Sequence, residues 1–222
     1  MKFDKLVKLL RYLLGIPKSI YVNLRLLPFT QAIRLPIIVS TQTKLISLKG
    51  KVSLNKVKTG IVRIGFTGTD TIDYDYNRTM LRIDGTLNIK GKTKIAKSSK
   101  LIILGELTLG NNFITSGDTT IICAKKITIG DDTMLAWQSI VMDTDQHNIL
   151  DQHQNLINEN KEIEIGDNVW VGARCFILKG VNIPNDSIIG ANTTVTKSFD
   201  QEKTIIAGNP PKVIKESVSW KH

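Results

Sequence analysis

Residues 163–198 read IEIGDN VWVGAR CFILKG VNIPND SIIGAN TTVTKS, and every sixth position holds a β-branched aliphatic. Ile165, Val171, Ile177, Ile183, Ile189 and Val195 occupy that position in turn, and Gly166, Gly172 and Gly190 directly follow three of them. Neither the helical period nor simple strand alternation over such blocks produces this spacing. It recurs upstream with slips, as Ile83, Ile89 and Ile95, then Ile103 and Leu109, then Ile129, Leu135 and Val141. A short fixed period of this kind marks a repeat architecture. A strand of about five residues and a tight turn make one flat face, and three faces close a triangular coil of about 18 residues. Each sixth residue then points inward and stacks on its counterpart one coil away. Gly, Asn or Asp after it is expected to support the corner, where positive φ is favoured. The expected fold is all-β, a parallel β-helix.

The repeat breaks once, between Val141 and Ile163, and the interruption MDTDQHNILDQHQNLINENKE is polar and rich in Asn and Gln. Loops that leave a rigid scaffold often carry function. This one holds His147 and His153, two of the three histidines in the chain; the third, His222, reads as a frayed end. The expected organisation is a basic amphipathic N-terminal segment over 1–44, a β-helix over 45–198 with a protruding loop at 142–162, and a C-terminal extension over 199–222.

Charge is concentrated at the start. Residues 1–34 carry Lys2, Lys5, Lys8, Arg11, Lys18, Arg25 and Arg34 against Asp4, which is +6 of the chain's net +10. Leu6, Leu9, Leu10, Leu13 and Leu14 form a helical stripe. The apolar run is too short to span a bilayer, which needs roughly 20 apolar residues. Three readings compete for the segment: a cap over the first coil, an amphipathic helix on an anionic membrane surface, or a recruiter of an anionic glycan. Nucleic acid is not an expected partner, because no recognition motif or stacking aromatic series accompanies the charge. Cys123 and Cys175 form no CxxC pair and no metal-ligand spacing, and read as buried residues of a reduced, intracellular protein.

The repeat, the loop with its D-x-x-H, the VWVG step and the ending AGNPPKVIK together resemble the hexapeptide-repeat acetyltransferases. The branch they resemble is that of galactoside, maltose and xenobiotic O-acetyltransferases and the O-acetyltransferases of surface polysaccharides. The resemblance is good over 127–216, is the repeat alone over 80–126, and does not reach 1–45. It implies a left-handed β-helix, a homotrimer, and acetyl-coenzyme A bound in the groove between neighbouring subunits, with no metal. It also implies a bacterial cytoplasmic enzyme, with the inner membrane surface as a candidate site through residues 1–34, and a carbohydrate acceptor.

A sugar hydroxyl must lose its proton as it attacks a thioester, and imidazole suits that task because its unperturbed pKa lies near 6.5. His147 matches the catalytic position of the family. Asp143 or Asp145 is the candidate to hold its ring, as a carboxylate does in a catalytic triad. Transfer would be direct, with the oxyanion held by a backbone N–H, for which Gly172 or Ala173 is the candidate. By resemblance, Trp170 packs beside the pantetheine arm, and Ala191, Thr196 and Lys197 contact it on successive coils. Gly208 lies at the adenine end, and Lys212 and Lys215 reach the phosphates as point charges. An Asn of galactoside-type relatives has no clear counterpart; Ser116 is the nearest match, and no role is carried to it. The rival within enzymes is an N-acetyltransferase on an amino sugar nucleotide, and the rival of another class is a non-catalytic scaffold trimer. A γ-type carbonic anhydrase needs three histidines on zinc, and the interior of this chain offers two.

Overall fold

A computed structural model describes residues 2–70 and 77–221, with the side chains of 2–8 left aside; His222 lies outside the described residues. Among the described residues the chain winds through three sheets of nine, seven and six strands. Face one begins with Ile37–Val39 and Val62–Ile64, passes through Met134–Leu135, Trp170–Val171 and Ile188–Ile189, and reaches Ile205–Ala207. Face two runs from Lys44–Leu48 through Thr120–Cys123, Ile140–Met142 and Phe176–Leu178 to Thr194–Val195. Face three runs from Lys51–Leu54 through Lys126–Ile129 and Ile163–Ile165 to Asn182–Ile183. From Ile37 to Ala207 consecutive strands lie on different faces and pair in parallel with strands one coil away, so the architecture is a parallel β-helix.

The sixth-position aliphatics form the core. Ile165 is 1% exposed, and Val171, Ile177, Ile183, Ile189 and Val195 are fully buried. Ile129, Ile165 and Ile183 stand in register as one rung. The corners depart from expectation. Positive φ falls three residues after the aliphatic, at Asn112, Asp132, Gln138, Asn168, Arg174, Asp186 and Asn192. The glycine directly after the aliphatic serves close approach between coils. A Cβ on Gly172 would lie 2.7 Å from the Ile189 carbonyl oxygen, and one on Gly110 would overlap the Gly130 carbonyl.

The coil starts at Ile37 rather than 45 and continues past 198 to Ala207, after which Lys212–Lys215 folds back antiparallel. Ahead of it, α1 (Lys2–Leu26) and α2 (Phe29–Ala32) close the open end. α1 rests on Ile37–Val39 and Lys44–Leu48, the first strands of two faces. Its inner side combines Val22 and Leu26 with the small or polar Gly15, Ser19 and Asn23. Asn23 accepts from the Ile37 N–H at 3.1 Å and donates to the Ile37 carbonyl at 2.6 Å, while Ser19 Oγ accepts from the Val39 N–H at 2.9 Å. These bonds satisfy the edge strand, whose backbone groups would otherwise be unpaired.

Candidate active site

The loop leaves at the corner between faces two and three. In the coils before it, this corner carries two extra residues whose amides both donate to one carbonyl a coil further on. Leu104 and Gly105 donate to Cys123 O at 2.8 and 3.0 Å. Ala124 and Lys125 occupy the same place one coil later, but there the chain departs into the loop. The Asp143 carboxylate takes both amides, from Ala124 at 2.6 Å and from Lys125 at 2.8 Å. Asp143 is fully buried and ends the ladder. It does not hold His147, which corrects that candidate role.

Asp145 is also committed elsewhere. Its carboxylate accepts from Lys179 Nζ at 2.5 Å and from Asn158 Nδ2 at 2.7 Å. These two bonds, that of Lys179 foremost, hold its carboxyl below the usual aspartate range. Neither aspartate of the D-x-D touches the imidazole within the chain.

His147 is exposed, and it is fixed through its backbone. Asn158 Nδ2 donates to the His147 carbonyl at 2.8 Å, and Asn158 Oδ1 accepts from the Ile149 N–H at 2.7 Å. Lys179 Nζ donates in turn to the Asn158 carbonyl at 2.7 Å. Asn158 therefore grips the chain before, at and after His147. His147 lines a cleft of about 260 Å³ together with Thr144, Gln146, Leu156, Asn158 and Glu159. His153 sits instead at the tip of a small hairpin, where Leu150 and Leu156 bridge and Asp151 accepts from the amides of His153 and Asn155 at 2.7 and 2.9 Å. Four apolar side chains of this hairpin, Ile149, Leu150, Leu156 and Ile157, are 42–61% exposed.

The expected cofactor residues divide between two edges of the prism. Thr196 and Lys197 follow Thr194–Val195 at the corner between faces two and three, which is the loop's own edge. Gly172, Ala173, Ala191 and Gly208 stack at the other end of face two, on the corner shared with face one. There the Gly172 N–H is spent on Ile189 O at 2.8 Å, and the Ala173 carbonyl accepts from Asn192 at 2.8 Å. Among the described residues, the amides of Ala173 and Ala191 serve no bond within the chain, so Ala173, not Gly172, keeps an N–H to offer. Trp170 lies on face one beside this ridge, 39% exposed, its ring tilted against Trp220 at 5.9 Å. Trp220 Nε1 donates to Asn168 O at 2.7 Å, which ties the tail down over face one. Lys212 and Lys215 are exposed on the returning strand. A single chain thus places His147 and the Ala173 ridge on opposite edges of face two. Both thiols are buried, and burial foremost pushes Cys123 up to about 12 and raises Cys175, so neither supplies a thiolate.

Residues 162–197 match the family model described as the hexapeptide repeat of succinyl-transferase. Over these residues the chain is similar to that repeat family. The parallel β-helix of three sheets is consistent with the left-handed form that the repeat implies. This hexapeptide-repeat chain is 36% identical over 141 residues to a polysialic acid O-acetyltransferase of Escherichia coli O1:K1 / APEC, covering 63% of this chain and 44% of that protein. It is 34% identical over 113 residues to the galactoside O-acetyltransferase of Escherichia coli (strain K12), covering 49% of this chain and 53% of that one. The chain thus spans about half the length of these curated relatives. Among solved structures, the polysialic acid O-acetyltransferase OatWY is 28% identical with a TM-score of 0.46, covering 84% of this chain and 87% of that one.

Sequence reasoning missed Asn158, Lys179 and Trp220. Asn158 left a faint signal as one Asn among several in the loop. Lys179 left none, because it stands 34 residues from Asp145 and only coil stacking joins them.

Proposed function

We propose that the chain is an acetyl-coenzyme A-dependent O-acetyltransferase that modifies a sugar hydroxyl of a surface polysaccharide or its precursor. The observation that carries this reading is the pinned loop: the break in the repeat after Ile140–Met142 displays a histidine whose backbone is gripped by Asn158 and Lys179 and which lines an open cleft. Likeness to O-acetyltransferases of polysialic acid and of galactosides supports the reaction class and the acceptor class.

In this reading His147 removes the hydroxyl proton as the oxygen attacks the thioester carbonyl. The free Ala173 N–H faces the developing oxyanion. The proton then passes to the departing coenzyme A thiolate, and no acyl-enzyme forms. Asn158 and Lys179 keep the base in place. Trp170, Ala191, Thr196, Lys197 and Gly208 line the path of the pantetheine and nucleotide, and Lys212 and Lys215 neutralise phosphate charge. In this reading His147 and Ala173 meet only when the loop of one subunit faces the ridge of another, which calls for a cyclic assembly, and resemblance to the hexapeptide-repeat acetyltransferases makes that assembly a homotrimer of a bacterial cytoplasmic enzyme. The exposed apolar hairpin supports that assembly, since four such side chains on one projecting arm call for a covering surface.

Thiol release from acetyl-coenzyme A, followed with hydroxyl and amino sugar acceptors, tests the proposal. Turnover should require a hydroxyl sugar, and His147→Ala should lower it by about 10²–10⁴-fold. Undiminished turnover in His147→Ala would remove the base, and preference for an amino sugar would change the acceptor class.

A further inference from the structure

A surface helix ordinarily turns its apolar stripe to the core and its polar side to water. α1 buries only a narrow side and leaves most of its large apolar side chains outside. Gly15, Ser19, Val22, Asn23 and Leu26 are the buried side. A Cβ on Gly15 would stand 2.6 Å from the Val39 carbonyl oxygen, so the helix backbone sits against the first strand. At 3.6 residues per turn the opposite side gathers Leu9, Leu10, Leu13, Leu14, Ile20, Tyr21 and Leu24 into one stripe, and these are 42–66% exposed. Phe29 and Ile33 extend it, at 71% and 61% exposed. Half of the exposed large hydrophobics among the described residues fall between 9 and 33, so this is a patch rather than scatter.

Charge selects what covers the patch. Exposed Arg11, Arg25 and Arg34 accompany it, and residues 9–34 contain no Asp or Glu. Lys18 does not join them, because its ammonium is turned inward onto the carbonyls of Thr41 and Thr43. A self-complementary contact between two copies would set arginines against arginines with no carboxylate to pair them. An anionic bilayer offers acyl chains for the leucines and headgroup charge for the arginines. No described helix is long and apolar enough to cross a membrane. α1 also lies across the end of the coil, so its outer side points away from the prism and leaves the prism's flanks free for neighbouring subunits.

We propose that the outer side of α1 and α2 docks the protein, in the plane of the interface, on a bilayer rich in anionic lipid. The cap and the anchor are then two sides of one helix. This holds whether or not the acetyltransferase reading does.

Sedimentation of the full chain with extruded vesicles tests it, comparing phosphatidylcholine with phosphatidylcholine–phosphatidylglycerol. The wild type should pellet with the anionic vesicles, and added salt should weaken that binding. Leu13→Glu with Leu24→Glu should lower partitioning at least tenfold without moving the thermal unfolding midpoint, since both side chains point away from the core. Replacing Arg11, Arg25 and Arg34 by Gln should lower it by about fivefold per residue and erase the preference for anionic vesicles. A wild type that stays in solution with both vesicle types would overturn the proposal. So would binding that survives the double glutamate variant, or an assembly in lipid-free solution that this variant dissolves.

Discussion

Asp143 and Asp145 stand two residues apart and do unrelated work. Asp143 closes the backbone ladder where the chain leaves the coil, and Asp145 anchors the loop to Lys179 one coil on. Asp143→Ala would leave two partly buried amides without acceptors, at about 1–3 kcal/mol each. It should therefore lower unfolding stability in urea by about 2–6 kcal/mol. Asn158→Ala acts differently, because Asn158 touches the loop backbone and not the core. It should lower kcat about 10–100-fold through misplacement of the base, while KM for acetyl-coenzyme A and the unfolding midpoint stay near wild type. The position of His147 on a projecting loop was legible, because it falls where the six-residue spacing is interrupted. Its neighbours were not. A D-x-D beside a histidine suggests a partnership, yet both carboxylates answer to groups that sequence distance hides, at Ala124, Lys125 and Lys179.

At the scale of the element, the rungs were legible because a six-residue spacing converts directly into an inward-facing position, and Ile165 through Val195 occupy it. The corners were only half legible. Gly, Asn and Asp were recognised as corner residues, but left-handed backbone belongs to the third residue after the aliphatic, while the glycine beside it marks contact between coils. Gly110→Ala separates the two roles. Gly110 does not carry positive φ, so a purely conformational account expects alanine to be tolerated or stabilising there. Overlap with the Gly130 carbonyl instead predicts a loss of about 1–3 kcal/mol in denaturant unfolding, because backbone in the next coil must move. The orientation of α1 was hidden for a related reason. A leucine stripe says that a helix has two sides, and not which one faces the coil. Hydrogen bonds from Ser19 and Asn23 to the first strand decided it.

Across the whole molecule, face two separates the loop that carries His147 from the ridge that carries Ala173 and Ala191, and a prism this stiff cannot fold one edge onto the other. The account therefore requires two subunits per site. Co-expression of two inactive variants measures this directly. His147→Ala removes the base and leaves the ridge, whereas Ala191→Trp fills the ridge and leaves the base. Each variant alone should be inactive. Random cyclic assembly of equal amounts should restore about a quarter of the wild-type sites, those pairing an intact loop with an intact ridge across a subunit boundary. Recovery of turnover near that level is the predicted result. Mixed assemblies that stay as inactive as either parent would contradict it, because base and ridge would then have to serve the same chain.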